Sequence, residues 1–348
     1  MKKKTLLFTI LLTITVAVSI FSILFTNTEP EALPDSAFTV YFIDVGQADS
    51  TLIVCDDKAM LIDGGNAADS NLIYAFLKEH EVDHLDYIVA THPHEDHVGG
   101  LAGALNYATV DIAFSPVAEY NGVDFNNFVK YLDAQDVSVT VPKPGDRYYL
   151  GIATIDFFGP LRLSSDPNNI SLVLKVTYGE NAFLFTGDAG RTVEQDVLNA
   201  GYDISATVLH IGHHGSDTST SYPFLREVMP EYAVISCGKG NTYKHPHEET
   251  LTRLRDANVE IFRTDLQGTI TCVSDGMNVS FSVEKNEDIV TNPTEPNTDE
   301  SYYVGNISSH VFHRPDCSRL PIEKNQLIID SYQDAIDAGY SPCSICNP

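Results

Sequence analysis

Hydrophobic positions from Phe38 onward recur in short apolar runs that predict strands. Residues 38–44, 51–55 and 59–63 are three such runs, punctuated by Gly46, by Asp56-Asp57 and by Gly64-Gly65. Leu72, Ile73, Phe76 and Leu77 then fall at helical spacing, which predicts a helix over residues 66–79. Residues 85–90 return to a strand and lead straight into a group of histidines. Further helices are expected over 125–134, 191–199, 221–228 and 248–257. Further strands are expected over 137–141, 153–158, 172–178, 182–186, 206–210 and 232–236, with the last ones near Ile261, Ile270 and Phe281. Gly179-Glu-Asn181, set between two of these runs, is a hairpin signature. Mixed strands and helices over residues 38–285 predict a layered α/β domain.

The pattern breaks at both ends. Lys2, Lys3 and Lys4 precede an uncharged, largely apolar run over residues 5–25, and a polar spacer over 26–37 follows. A charged start and a run of that length read as a signal peptide or an uncleaved signal anchor, with the body extracytoplasmic: secreted, or held to the membrane by this segment. Residues 286–301 are rich in Asn, Thr, Glu, Pro and Asp and read as a solvated linker. They leave residues 302–348 as a unit too small to rely on a hydrophobic core alone, so a staple is expected there. The net charge of −27 argues against a broad nucleic-acid-coating surface but leaves room for metal ions that neutralise one phosphate.

The chemistry concentrates in Thr91-His92-Pro-His94-Glu-Asp96-His97. Imidazole and carboxylate donors suit zinc and similar first-row metals. In an extended segment His92 and His94 point the same way and can grip one ion, and after a turn Asp96 and His97 can face a second. Asp188 follows an apolar strand and a glycine, so its carboxylate can project past the sheet edge and bridge two ions. His213 or His214 completes the second metal, His214 being favoured and His213 then an orienting neighbour. Asp44 and Asp63 are expected to support the site through hydrogen bonds.

His-x-His-x-Asp-His after a strand resembles the signature of the metallo-β-lactamase superfamily. Residues 42–49, Leu61-Ile-Asp63-Gly-Gly65 and Phe185-Thr-Gly-Asp188 are similar to its other landmarks, in the family's order, and the likeness covers residues 38 to 284. Asp44-Val-Gly-Gln-Ala-Asp-Ser50, His213-His-Gly-Ser216, Tyr243-Lys-His245-Pro246 and Thr264-Asp-Leu-Gln-Gly268 resemble, more narrowly, the extracellular hydrolase domain of the competence proteins that internalise DNA (the ComEC family). The resemblance implies a four-layer αββα sandwich and two zinc or manganese ions sharing a water. The family's multi-span channel region has no counterpart here. Many members of the superfamily place one more histidine on the first metal, before the bridging Asp, and no histidine occurs between His97 and His210. Asn169 or Ser171 is expected near that place. Asp96, beside the second ion, and His245, as an acid for a leaving group, are the catalytic candidates.

The tail carries a second constellation. His313-x3-Cys317 and Cys343-x2-Cys346 offer four ligands for one tetrahedral zinc; the alternative is a disulfide with one cysteine left over. The segment resembles the metal-binding domain of the Ada DNA-repair protein, with histidine in place of the first of four cysteines. Taken together, the two resemblances imply an exported metal-dependent hydrolase of phosphodiesters, DNA among them. An exported choline-phosphate ester of a cell-wall polymer is an alternative substrate, and a non-catalytic metal-stabilised binding module is the alternative to catalysis.

Overall fold

The computed structural model describes residues 38–292 and, between 303 and 346, all but residues 315, 316, 318, 330–334, 337 and 344. The N-terminal run and spacer, and most of the linker, lie outside the described residues. The chain divides into two compact units, with the boundary between Ile289 and Val290.

In the first unit the chain lays down β1 (Phe38–Phe42), β2 (Thr51–Cys55), β3 (Lys58–Ile62), β4 (His84–Val89), β5 (Thr109–Phe114) and β6 (Val139–Thr140). A second sheet follows: β7 (Arg147–Leu150), β8 (Ala153–Gly159), β9 (Val173–Tyr178), β10 (Asn181–Phe185), β11 (Val208–His210), β12 (Tyr232–Ile235) and β13 (Glu260–Arg263). Then β14 (Ile270–Ser274) and β15 (Val279–Val283) return to the first sheet, whose order is β15-β14-β1-β2-β3-β4-β5-β6, against β13-β12-β11-β10-β9-β8-β7 in the second. Each sheet is antiparallel on one side and parallel on the other.

Side-chain alternation explains why the sheets stack. Phe38, Val40 and Phe42 of β1, Ile53 and Cys55 of β2, and Phe183 and Phe185 of β10 share one buried cluster between the sheets. Alternate residues face outward: Leu52 and Leu61 pack with helices on one side, and Val173 and Leu184 with helices on the other. Each fully buried aromatic or aliphatic side chain contributes about 1.5–3 kcal/mol. The helices are α1 (Ser70–Glu79), α2 (Glu95–Val98), α3 (Leu101–Tyr107), α4 (Val123–Asp133), α5 (Arg191–Ala200), α6 (Tyr222–Val228), α7 (Glu248–Asp256) and α8 (Thr264–Gln267). On α4 the buried positions Phe125, Phe128 and Leu132 make the inward stripe. Gly201, left-handed at φ 73, ends α5. The result is the four-layer αββα sandwich. The β9–β10 turn is Gly179-Glu180, with Asn181 already paired to Tyr178, and glycine supplies the positive φ of 60 that a two-residue hairpin needs at its first position.

The second unit is a four-stranded sheet of β16 (Tyr303–Asn306), β17 (Val311–His313), β18 (Gln326–Ile329) and β19 (Ser341–Pro342), in the order β18-β16-β17-β19. Its buried cluster holds Tyr303, Phe312, Ile329, Ala335 and Tyr340. Among the described residues no helix is long and apolar enough to cross a membrane.

Candidate metal centre

The site lies where strands of both sheets end. The loop after β4 carries His92 and His94 and leads into α2, which carries Asp96 and His97; the turn after β10 carries Asp188, and the segment after β11 carries His213 and His214. The approach of the first loop depends on two glycine pairs. A Cβ on Gly100 would stand 1.8 Å from the Gly64 carbonyl oxygen, and one on Gly64 2.5 Å from the Leu101 amide nitrogen. Gly64 N–H donates to the His97 carbonyl (2.7 Å), which brings Asp63 beside the His97 ring.

Asp63 receives the Thr91 amide and hydroxyl at 2.8 and 2.7 Å and lies 2.8 Å from His97 Nδ1. That contact leaves His97 Nε2 to face Asp188 Oδ1 at 3.3 Å. His214 is built the same way. Its Nδ1 is 3.1 Å from both Asp49 Oδ1 and the Ser236 carbonyl, and its Nε2 is 3.3 Å from Asp96 Oδ2 and 3.7 Å from Asp188 Oδ1. His92 Nε2 stands 3.0 Å from His94 Nδ1 and 3.7 Å from Asp188 Oδ2. Two donor sets result, each with its ligand atoms within 4.8 Å of one another: Asp96, His97, Asp188 and His214, and His92, His94 and Asp188. Asp188 belongs to both.

These residues fit the ions that the donor chemistry calls for. His97 Nε2, His214 Nε2 and Asp188 Oδ1 are buried and lack a hydrogen-bond partner among the described residues. Leaving three such groups bare costs free energy that a shared cation recovers. A carboxylate behind a ring nitrogen, as at His97 and His214, fixes the other nitrogen toward a metal.

Burial by itself would push His97 and His214 down, but Asp188 and Asp63 around His97, and Asp49 and Asp188 around His214, hold both well above the usual histidine range. Burial also opposes charge on Asp188, yet His97 and His214 keep its carboxyl well below the usual range. A cation must therefore expel protons to enter. A raised histidine stabilises the metal-free fold in full below its unfolded value of about 6.5, and that contribution is lost as the pH rises through the folded value. The gain in Tm on adding zinc or manganese is accordingly expected to be larger near pH ~8.5 than near pH ~6. A thermal-shift series over pH checks this, and a gain that shrinks with rising pH would contradict it.

Several expected residues stand elsewhere. Asp44 does not join the site: it caps the Gly46 amide at 3.2 Å and lies 3.3 Å from Lys285 Nζ. Asp49, at the far end of the same loop, takes the supporting place instead. Asn169 turns its amide to Asp166 (2.7 Å), and its neighbour Asn168 faces the site, with Nδ2 3.4 Å from His213 Nε2. Ser171 Oγ accepts from the Asp188 amide at 3.2 Å and fixes the turn rather than reaching an ion. His245 lines the cavity with Gln47, His94, Glu95, Asp96, Asn168 and Tyr243. Burial and the neighbouring His247, His214 and His213 push it down to about 4, so at neutral pH it is no cationic acid. Gln47 Oε1 accepts from the Gly238 amide (3.0 Å), which turns its Nε2 donor to His245 Nδ1 (3.4 Å). The ring then keeps its proton on Nε2, as a neutral hydrogen-bond donor.

In the tail, the ligand atoms of His313, Cys317, Cys343 and Cys346 also lie within 4.8 Å of one another, and all three cysteines are free thiols. Amides of Arg319, Ile345 and Arg314 donate to the sulfurs of Cys317, Cys343 and Cys346, each at 3.4 Å. Burial pushes His313 down, keeping a nitrogen lone pair available.

Residues 43–239 match the family model of the metallo-beta-lactamase superfamily, and residues 290–348 that of the metal binding domain of Ada. ComE operon protein 3 of Bacillus subtilis is 31% identical over 252 residues, covering 66% of this chain and 32% of that protein. Competence protein ComA of Neisseria gonorrhoeae is 32% identical over 249 residues, covering 71% and 34%. Recombination protein 2 of Haemophilus influenzae is 30% identical over 236 residues, covering 66% and 28%. The chain spans about a third of the length of these relatives.

Proposed function

The chain belongs to the metallo-β-lactamase superfamily, as a metal-dependent hydrolase related to competence proteins, and on that premise we propose that it cleaves phosphodiesters in nucleic-acid strands. The observation that carries the substrate class is the loop from Gly238 to Pro246 at the cavity wall. In a chain of net charge −27 this loop holds Lys239 and Lys244 and no acidic residue. Tyr243, 64% exposed, stacks on His245 with ring centroids 5.7 Å apart and planes at 25°. An exposed ring on a loop that also carries two cations suits a base and its flanking phosphates.

Bound ions supply a water of lowered pKa and neutralise charge on the phosphoryl oxygens. Asp188, His97 and His214 would hold those ions, and Asp63 and Asp49 keep the two imidazoles oriented. Neutral His245 donates from Nε2 to a phosphoryl oxygen. Tyr243 holds the adjoining base, which fixes the phosphorus in the cavity of about 390 Å³.

A second reading, a choline-phosphate ester, draws on Glu95 and Tyr243 lining the same cavity, since a carboxylate and a ring face suit a quaternary ammonium. Initial rates on single-stranded DNA, RNA, bis-p-nitrophenyl phosphate and a p-nitrophenyl ester of phosphocholine separate the two. Tyr243→Ala is expected to raise KM for DNA roughly 10-fold, as loss of one stacked base does, and to leave bis-p-nitrophenyl phosphate nearly unchanged. Turnover of the choline ester alone would refute the nucleic-acid reading. Export of the enzyme on its N-terminal run belongs to the same proposal.

A further inference from the structure

We infer that His213 supplies the third imidazole of the first ion's site, from the loop after β11 rather than from the stretch between His97 and Asp188. The inference rests on the two-ion reading and deepens it by giving the adjacent histidines His213 and His214 to different ions.

The two oxygens of Asp188 face different partners. Oδ1 lies 3.3 Å from His97 Nε2 and 3.7 Å from His214 Nε2. Oδ2 lies 3.7 Å from His92 Nε2 and 3.5 Å from His213 Nε2. Neighbouring residues reach opposite ends of one carboxylate because both are left-handed, His213 at φ 53 and ψ 44 and His214 at φ 54 and ψ 24. Each such residue costs roughly 1–2 kcal/mol, and two in succession persist only where the surroundings fix them. The surroundings do so: His213 N–H donates to the Gly187 carbonyl at 3.0 Å, and the Ser219 hydroxyl donates to the Ala189 carbonyl at 2.9 Å. Buried Glu194 accepts the amides of Thr220 and Ser221.

The His213 ring is also oriented as a ligand. Nδ1 is 3.2 Å from the Thr218 hydroxyl, which is itself 2.9 Å from the Ser216 hydroxyl. Nε2 is left toward Asp188 and makes only a long contact of 3.4 Å with the Asn168 amide nitrogen. His92, His94 and Asp188 bring their donor atoms within 4.8 Å of one another, and His213, outside that cluster but 3.5 Å from its Asp188 Oδ2, would make the fourth ligand, for three nitrogens and one carboxylate oxygen. Ser171 is engaged with the Asp188 amide, and Asn169 gives its Nδ2 to Asp166 while its Oδ1 lies against Gly190, buried and without a hydrogen-bond partner among the described residues.

The test counts ions on the purified full chain by elemental analysis and by chelator competition. His213→Ala is expected to retain one equivalent fewer than the unsubstituted chain, the same ion that His92→Ala loses, so that combining the two removes nothing further. His213→Ala with His214→Ala is expected to lose both ions of the main body. Thr218→Val, which leaves the ligand in place, is expected to weaken the same ion by roughly 10–100-fold, as loss of an outer partner does. Circular dichroism with His213→Gln as a second variant separates ion loss from misfolding. A full complement of ions at unchanged affinity in His213→Ala overturns this inference alone. An unsubstituted chain holding no ion in its main body overturns the two-ion reading with it.

Discussion

Asp188→Ala is expected to abolish hydrolysis, by on the order of 10³-fold or more, and to strip both ions from the main body. The magnitude follows from position. Asp188 is 2% exposed, shared by the two donor sets, and the point where the second sheet meets the histidines of the first. Asp63 and Asp49 cannot take its place, being turned to the far nitrogens of His97 and His214, and Asp96 belongs to one donor set only. The fold should survive, since the clusters between and outside the sheets do not depend on this side chain. Metal content, circular dichroism and turnover of bis-p-nitrophenyl phosphate measured on one preparation check it. Near-normal turnover in the variant would disprove the bridging role.

Removing metal from the tail is the second large effect. Its buried cluster is small, with two tyrosines, one phenylalanine, one isoleucine and one alanine. A structural zinc in so small a unit supplies on the order of 10 kcal/mol of folding free energy. Cys346→Ser in the full chain is expected to unfold residues 302–348 and expose them to protease, while turnover of a small phosphodiester stays nearly constant. Limited proteolysis read by mass spectrometry, beside a turnover assay, decides it. A tail that stays protected in the variant, or after chelation, would rule out the zinc staple.

Much of the framework was legible because β1 to β4 are short apolar runs set off by turn residues, and β3 and β4 lead into Asp63 and the His92 cluster. The histidine cluster was legible because its ligands are neighbours in sequence. What was lost depended on contacts between distant segments. The loop from Asp44 to Asp49 offers an aspartate at each end, and only its closure against His214, 165 residues away, selects Asp49. Residues 137–141 alternate like a strand, yet only Val139–Thr140 pairs, because it lies at the sheet edge beside β5. Helix α3 is not among the elements expected from the pattern, and it contains Gly103. There a Cβ would stand 1.9 Å from the Ser70 carbonyl, so the glycine marks the close crossing of α1 and α3. The tilt of His213 and His214 to opposite ends of one carboxylate follows from two left-handed residues in a row, which residue type does not disclose.

The ligands of the main body come from loops on both sheets, so no ion can be held until β10, β11 and the β4 loop are all in place. Binding of ions is then linked to folding, and stability grows with the logarithm of free metal concentration above that of the metal-free fold. Scarcity of metal does more than silence such a molecule. By the same linkage it would raise the share of copies open to proteases, so the quantity of the protein, and not only its activity, would follow the supply of the ion.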